Sequence, residues 1–254
     1  MIIMDELISI ITPSYNSAKY ITETIESVIC QSYTNWELLI TDDCSSDSTI
    51  EVIKNYLEKD SRIKLYVLDK NSGAGVARNN SIKNAKGDYL TFIDSDDLWD
   101  KSFLFDSINL CKNNNYSFVF SSYHRRNEDF SINYSDFIAP TRVSYNDVLK
   151  SCPISCLTAF IDIKKLGKKY MPLLKKRQDA ALWLSYLKET DYAYGIKNPL
   201  AVYRIRKESL SRNKLKVIKY QWQLYRKSEK LSVISSLRYI ILWAYYGYKK
   251  YSGI

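Results

Sequence analysis

Residues 91–100 read TFIDSDDLWD, and the apolar run Tyr89-Leu-Thr-Phe-Ile93 leads straight into Asp94, Ser95, Asp96 and Asp97. Asp94 and Asp96 are two apart, so on an extended backbone they share a face. Carboxylates that close repel, and one is pushed toward protonation unless a cation sits between them. A pair at a strand end usually holds a hard divalent cation, Mg2+ or Mn2+, through oxygen. Such an ion commonly clamps a diphosphate and offsets charge on a departing phosphate oxygen.

Several other metal and phosphate users are excluded. An EF-hand begun at Asp94 needs Gly and Glu where Trp99 and Phe105 stand. No G-x-x-x-x-G-K-[ST] occurs, and no G-x-G-x-x-G follows the first strand. The single histidine, His124, lies in a polar stretch and reads as a surface residue, which argues against a Ser-His-Asp triad or a His-rich zinc site. Cys152 and Cys156 make half a metal site with no second pair, so the five cysteines read as free thiols of a reducing cytosol.

The carboxylates need elements to aim them, and the first hundred residues supply these in strict alternation. Leu7-ISIIT is a continuous apolar run fit for a strand buried on both faces. Asn16 or Ser17 can cap a helix with the stripe Ile21, Ile25, Val28, Ile29. Trp36-ELLIT ends in Asp42-Asp43, Ser46 or Ser48 caps a helix presenting Ile50, Ile53 and Leu57, and Ile63-KLYVL is a third strand. Gly73-AGVARNNSIKNA runs from loop into helix, Tyr89-LTFID is the fourth strand, and a helix follows near 101–113. This order predicts right-handed crossovers and a mostly parallel sheet, with ligands beyond the carboxyl ends of the strands. Thr12-Pro-Ser-Tyr-Asn16, Asp42-Asp43, Asn71-Ser-Gly73 and Asp94-Ser-Asp96 all fall there.

Past residue 115 the pattern loosens. Tyr116-SFVFSSY, Ser155-CLTAFI and Ala201-VYRIR read as strands, 125–150 as polar and irregular, and Asp179-AALWLSYL as a helix opened by an acid. From 215 onward two helical stretches are expected. The start MIIMDELISIITPS has no basic n-region and reads as a first strand, with a signal peptide disfavoured. The apolar run 239–248 is about half the ~20 residues a spanning helix needs, so no membrane crossing is expected. At 254 residues, 46% hydrophobic, the chain can bury a core as one large domain or one domain with an appendage.

The runs ISIITPSYNSAKYITETIESVICQSYTNWELLITDDCSSDST and NSGAGVARNNSIKNAKGDYLTFIDSDDLW closely resemble the family 2 glycosyltransferases of the GT-A fold. The resemblance is dense over residues 7–105 and thinner to about 212. A lone D-x-D is weak. D-x-D in register with P-x-Y-N, D-D-x-S-x-D and N-x-G-x-x-x-A-R-N is strong.

What the resemblance implies is a mostly parallel α/β sheet flanked by helices, and an inverting transfer of a hexose-type sugar from a UDP-sugar to a saccharide acceptor. By position, Pro13, Tyr15 and Asp43 would line the uridine pocket, Arg78 and Ser95 would help hold the nucleotide, and Asp94 and Asp96 would meet ribose and metal, with Asp96 the direct ligand of Mn2+ or Mg2+. KKRQDAALWLSYL nominates Asp179 as the general base. Blander roles stand beside these: Asp42 and Asp43 as helix caps, Arg78 as a surface ion-pair partner, and Asp179 as a charge suited to a helix dipole. Many relatives place a histidine after a Tyr-Arg strand, whereas here YRIRKESLSRN has Arg206 near that position. Arg204, Arg206 or Lys207 would then neutralise the diphosphate directly, which puts the metal's coordination and its necessity in question.

Analogy with the family also implies a cytoplasmic enzyme on the inner face of the cell membrane, building O-antigen, capsule or exopolysaccharide on a lipid-diphosphate carrier. Its rivals are a D-x-D phosphatase or nucleotidyl enzyme, and a non-catalytic protein that binds a nucleotide sugar or glycan. Residues 1–212 would form the catalytic domain, with a nucleotide-binding part to about 115 and an acceptor-side part over 116–212, and 213–254 a basic aromatic tail.

Residues 201–254 hold 13 Lys/Arg against two Glu, a net of +11 in a chain whose total is +9. That asymmetry points to an anionic partner. Ile234, Leu237, Ile241, Tyr245 and Tyr248 recur at helical spacing, with Arg238, Lys249 and Lys250 nearby. No RNA-binding motif accompanies them, so nucleic acid is not expected. A peripheral membrane helix and packing against the catalytic domain both remain open.

Overall fold

A computed structural model describes residues 6–206 and 214–252, with side chains of the C-terminal segment described for 217–247. Lys207 and Glu208, and the side chains of Tyr248, Lys249 and Lys250, lie outside the described residues. The first elements are β1 (Ile8–Ser14), α1 (Ile21–Ile29), β2 (Trp36–Asp42), α2 (Thr49–Leu57), β3 (Ile63–Val67), α3 (Ala74–Asn84) and β4 (Tyr89–Phe92). Their strands are parallel in the order β3-β2-β1-β4.

Every residue of β1 and β2 is buried, because helices cover both faces and the alternation of a half-exposed strand is unnecessary. Ile8 and Ile10 share a core with Ile21, Ile25 and Val28 of α1 and Ile53 of α2. Ile11 and Leu39 point the other way, into a core with Ile82 of α3. The caps differ from expectation. Helix α1 begins at Ile21, and Asn16 and Ser17 instead tie the loop to the next unit: Asn16 Oδ1 accepts from Ser46 N at 2.9 Å, and Ser17 N donates to Thr49 Oγ1 at 2.8 Å. Neither Ser46 nor Ser48 caps α2 through its side chain; Asp47 Oδ1 accepts from Thr49 N at 3.0 Å.

The second half continues the same sheet. It comprises β5 (Leu98–Trp99), α4 (Phe103–Asn114), β6 (Phe118–Asn127), β7 (Asn133–Phe137), β8 (Arg142–Val143), α5 (Tyr145–Lys150), β9 (Phe160–Asp162), α6 (Ile163–Leu166), α7 (Gln178–Tyr186) and β10 (Ala193–Ile205). Strand β9 runs antiparallel between β4 and β6, and β10 lies parallel to β6 with β5 antiparallel on its far side. Three expectations are corrected. The segment 125–150 holds the end of β6, two short strands and α5 with a Ser144–Asp147 capping box; β7 is largely exposed, so no buried face imposes an alternation. Only Phe160–Asp162 of the run begun at Ser155 is strand, since Cys156–Thr158 forms a 3-10 turn. The Ala201 run is the end of a 13-residue strand whose beginning was hidden by Gly195 and Pro199.

Helix α8 (Lys214–Gln223), a π-helical turn (Leu224–Ser228) and α9 (Val233–Ser252) follow. Leu224 and Tyr225 are buried in the α3-side core, and the Tyr225 hydroxyl donates to Leu149 O at 2.5 Å. Glu229 accepts from the Tyr145 hydroxyl at 2.6 Å and pairs with Lys188 at 2.8 Å.

Candidate active site

The carboxyl ends of β1, β2 and β4, together with the end of β10, bound a cleft of about 420 Å3 lined by Pro13, Tyr15, Asp43, Arg78, Asp94, Ser95 and Asp96. Seven residues singled out by position thus meet in one place. Pocket volumes near this size hold nucleotide-scale ligands. Tyr15, 50% exposed, stands over the opening, and Pro13 is buried beneath.

Asp42 and Asp43 divide their work. Asp42 is fully buried and accepts from Ser14 Oγ at 2.7 Å, Ser45 N at 2.7 Å and Ser45 Oγ at 2.6 Å, which closes the turn after β2. Asp43 turns to the start of α3: Oδ1 accepts from Ser72 N and Oδ2 from Gly73 N, each at 2.7 Å. Gly73 has φ +92°, a region that side chains avoid, so glycine is what lets this loop offer two N–H groups to one carboxylate. Asp43 therefore sets one wall of the cleft by joining β2 to α3.

One turn into α3, Arg78 Nη2 lies 2.5 Å from Asp94 Oδ1, and its side chain is only 11% exposed. Burial works against the charged guanidinium, yet the charges of Asp94 and Asp179 hold it above its ordinary value. Its Nε is buried and has no acceptor among the described residues. A charged donor left unpaired is expensive unless a ligand completes it.

Arg206 Nη1 lies 2.9 Å from Asp96 Oδ2. Burial raises the Asp96 carboxyl first and the Asp94 charge adds to it, while Arg206 pulls it back. Asp97 faces inward: Oδ1 accepts from Arg204 N at 2.8 Å, and burial with the charges of Asp96 and Asp94 drives its carboxyl well up. Arg204 is not available to a diphosphate. It is 5% exposed, donates to Asp96 O at 2.8 Å and Glu128 O at 2.7 Å, and pairs with Glu23 at 2.5 Å. Both arginines border the cleft, but the Arg204 side chain is 3% exposed and fully engaged, whereas that of Arg206 is 38% exposed.

Asp94 and Asp96 suit Mg2+ or Mn2+ as a donor set. Each keeps one carboxylate oxygen outside its arginine pair, and such ions often take one or two carboxylates and complete their shell with water and substrate phosphate. Among the described residues no cluster of three or more His, Cys, Asp or Glu is placed to enclose a metal, and it is Arg206 that pairs with Asp96.

Asp179 does not line this cleft but stands beside it, at the first turn of α7. The starts of α3 and α7 touch: a Cβ on Gly75 would meet the Gln178 side chain at 2.6 Å. Among the described residues the Asp179 side chain makes no hydrogen bond or ion pair, although its charge acts on Arg78 and on the buried Cys156 thiol, which burial pushes up. Arg177, just ahead, adopts φ +66°, a left-handed conformation that few non-glycine residues take. Tyr203 was missed by the sequence reading; it lines the cleft from β10, and its neighbour Arg204 in the Tyr-Arg pair was the available signal.

A mixed sheet flanked by helices, with a carboxylate-bearing, arginine-lined cleft at the ends of its parallel strands, has the architecture of the GT-A fold. The family model described as Glycosyl transferase family 2 matches residues 9–161, and the chain belongs to that family: it is a glycosyltransferase. It is 40% identical over 244 residues to the putative teichuronic acid biosynthesis glycosyltransferase TuaG of Bacillus subtilis (strain 168), covering 96% of this chain and 95% of that one. It is 40% identical over 221 residues to the Escherichia coli UDP-Glc:alpha-D-GlcNAc-diphosphoundecaprenol beta-1,3-glucosyltransferase WfgD, covering 87% and 85%. In fold it is similar to the crystal structure of S. aureus TarS residues 1–349 in complex with UDP-GlcNAc, with a TM-score of 0.73 at 21% identity over 95% of this chain and 72% of that one.

Proposed function

We propose that this glycosyltransferase moves a hexose-type sugar from a UDP-sugar to a saccharide carried on a lipid diphosphate, with inversion at the anomeric carbon, in the synthesis of a bacterial surface polysaccharide. The observation that carries the reading is the unpaired carboxylate of Asp179 beside the cleft where Arg78 pairs with Asp94. One group is poised to accept a proton, the other to face an anion. The names of the two relatives support the polysaccharide setting, and that of WfgD supports a UDP-hexose donor with a lipid-diphosphate acceptor.

In this reading Pro13, Tyr15 and Asp43 receive the uridine, and Arg78 with Ser95 orients the nucleotide. Asp94 and Asp96 would hold Mn2+ or Mg2+, which supplies positive charge against the diphosphate when bound. Arg206 adds a fixed cation from the chain itself. The acceptor hydroxyl oxygen forms its bond to the anomeric carbon, the bond from that carbon to the β-phosphate oxygen breaks, and its electron pair leaves with UDP. The hydroxyl proton passes to the Asp179 carboxylate. One displacement inverts the centre.

The catalytic unit runs to about residue 212 in this reading, with 213–254 as an attached segment serving a site on the cytoplasmic membrane face. No described helix is long and apolar enough to cross a membrane.

Calorimetry of UDP with and without Mn2+ on wild type and Asp96→Ala tests the assignment. The variant should remain folded and lose the metal-dependent part of UDP binding. Equal metal-dependent affinity in the two proteins would remove Asp96 from the metal site.

A further inference from the structure

We propose that the outward face of α9 is a docking surface for an anionic lipid bilayer. The proposal extends the lipid-carried acceptor reading to the surface that meets the carrier, and rests on that reading for its purpose alone.

Helix α9 has two apolar faces, and only one of them is covered. Ser236 is fully buried, Tyr239 and Ile240 pack on the core, and the Tyr239 hydroxyl donates to Asn146 Oδ1 at 3.0 Å. The Trp243 ring lies 5.5 Å from the Arg177 guanidinium. On the other face Ile234 is 81% exposed, Leu237 51%, Ile241 69% and Tyr245 59%. Their spacing of three and four residues stacks them into one stripe. Single exposed apolar side chains need no explanation, but a contiguous row of them marks a surface that something covers.

Charge decides what covers it. Lys227 and Lys230 are exposed just before α9, and Arg238 is exposed on it beside Leu237. From residue 209 to the end the sequence has one acid, Glu229, and Lys188 with the Tyr145 hydroxyl already engages it. The positive charge beside the stripe is therefore uncompensated within the described residues. A second copy would bring two like-charged surfaces together, which opposes self-association through this face. Nucleic acid would be read by aromatics stacked on bases, whereas the foremost members here are Ile234, Leu237 and Ile241. Aliphatic side chains flanked by Lys and Arg match an acyl–headgroup boundary with anionic lipid, where both parts are used at once.

The same helix is joined to the chemistry. Its inner face contacts Arg177, two residues before Asp179, so docking surface and base belong to one packed unit.

The test is vesicle flotation of the full chain with mixed phosphatidylglycerol–phosphatidylcholine vesicles and with phosphatidylcholine alone, at low and high salt. Wild type should float on the anionic vesicles at low salt and partly detach at high salt. The triple variant Ile234→Gln/Leu237→Gln/Ile241→Gln should lose roughly 10²-fold in partition, given the apolar surface it withholds from lipid. Its melting temperature should match wild type because these positions are exposed, and Ile234→Gln alone should show a smaller loss in the same direction. Wild type that stays unbound, or a triple variant that floats as wild type does, overturns the proposal. So does a wild-type dimer that the triple variant breaks into monomers without any vesicle binding. Turnover of UDP-sugar with a short water-soluble saccharide should be unchanged in the triple variant. Absence of turnover in a wild type that floats normally would sink the functional reading and leave the docking surface standing.

Discussion

Arg206 Nη1 lies 2.9 Å from Asp96 Oδ2, so the second aspartate of the D-x-D pair is neutralised by the chain's own cation. The pair is partly exposed, with 38% of the Arg206 side chain and 22% of Asp96 open to solvent. Such a pair can yield to a better partner, because exposed ion pairs are worth little. A diphosphate offers Arg206 more acceptors, and a metal offers Asp96 a stronger cation.

Arg206→Ala should therefore move two affinities in opposite directions. UDP binding without metal should weaken by about fivefold to tenfold, the scale of one partly screened charge-assisted hydrogen bond. Mn2+ alone should bind more tightly, since its competitor is gone. Calorimetric titrations of both ligands check this; unchanged UDP affinity would mean that Arg206 only shields Asp96.

Asp179→Asn keeps the shape of the side chain and removes its basicity. Transfer should fall by roughly 10²–10⁴-fold, the usual contribution of a general base. UDP affinity should barely change, because Asp179 stands beside the nucleotide cleft and does not line it. Initial rates with titrated UDP binding separate the two effects, and the anomeric configuration of the product tests single displacement.

Gly73→Ala places a side chain at φ +92° with no neighbour within 4 Å, so its cost is backbone strain without a clash. Strain in that region costs about 1–3 kcal/mol. Relaxing it pulls Gly73 N from Asp43 Oδ2, now 2.7 Å away, and loosens the wall between β2 and α3. UDP affinity should drop several-fold and the melting temperature should fall by several degrees, read by calorimetry and a thermal melt.

Glu37 gives a pH prediction far from the cleft. It is 4% exposed, with Oε1 accepting from Ser9 Oγ at 2.8 Å and Lys86 N at 2.6 Å, and Oε2 2.8 Å from Lys64 Nζ. Burial alone would raise its carboxyl, but Lys64 and these donors outweigh burial and hold it below the usual range. A folded-state value below the unfolded one adds stability above the ordinary glutamate pKa, and that stability is lost as pH falls through the lowered value. Glu37→Gln should lower the melting temperature by about 2–4 °C near pH 7, the equivalent of roughly 1 kcal/mol, and the gap should narrow as pH falls below the ordinary glutamate range. Paired melts above and below that range decide it.

What the sequence by itself determined is local or periodic in nature. Buried runs such as Ile8–Ile11, the stripe Ile21-Ile25-Val28 and the polar residues at each strand end placed four parallel strands and the cleft that contains Pro13, Tyr15, Asp43, Arg78, Asp94, Ser95 and Asp96. A strand buried on both faces and a helix with one apolar stripe declare themselves through side-chain period, and strand ends in a parallel sheet converge by topology.

The rest was decided by which distant segment covers each side chain. Arg204 and Arg206 sit two apart in YRIR, yet one is sealed by Glu23 and Glu128 while the other reaches Asp96, because β10 ends at Ile205 and different distant segments meet the two side chains. Asp42 and Asp43, which are adjacent, turn to different partners, one closing its own turn and the other reaching 29 and 30 residues ahead to Ser72 and Gly73. Periodicity marked an apolar stripe on α9 but could not say whether protein covered it. In the fold the core takes Ser236, Tyr239 and Ile240, and leaves Ile234, Leu237 and Ile241 to the solvent, since only one side of a helix can meet the domain it packs on.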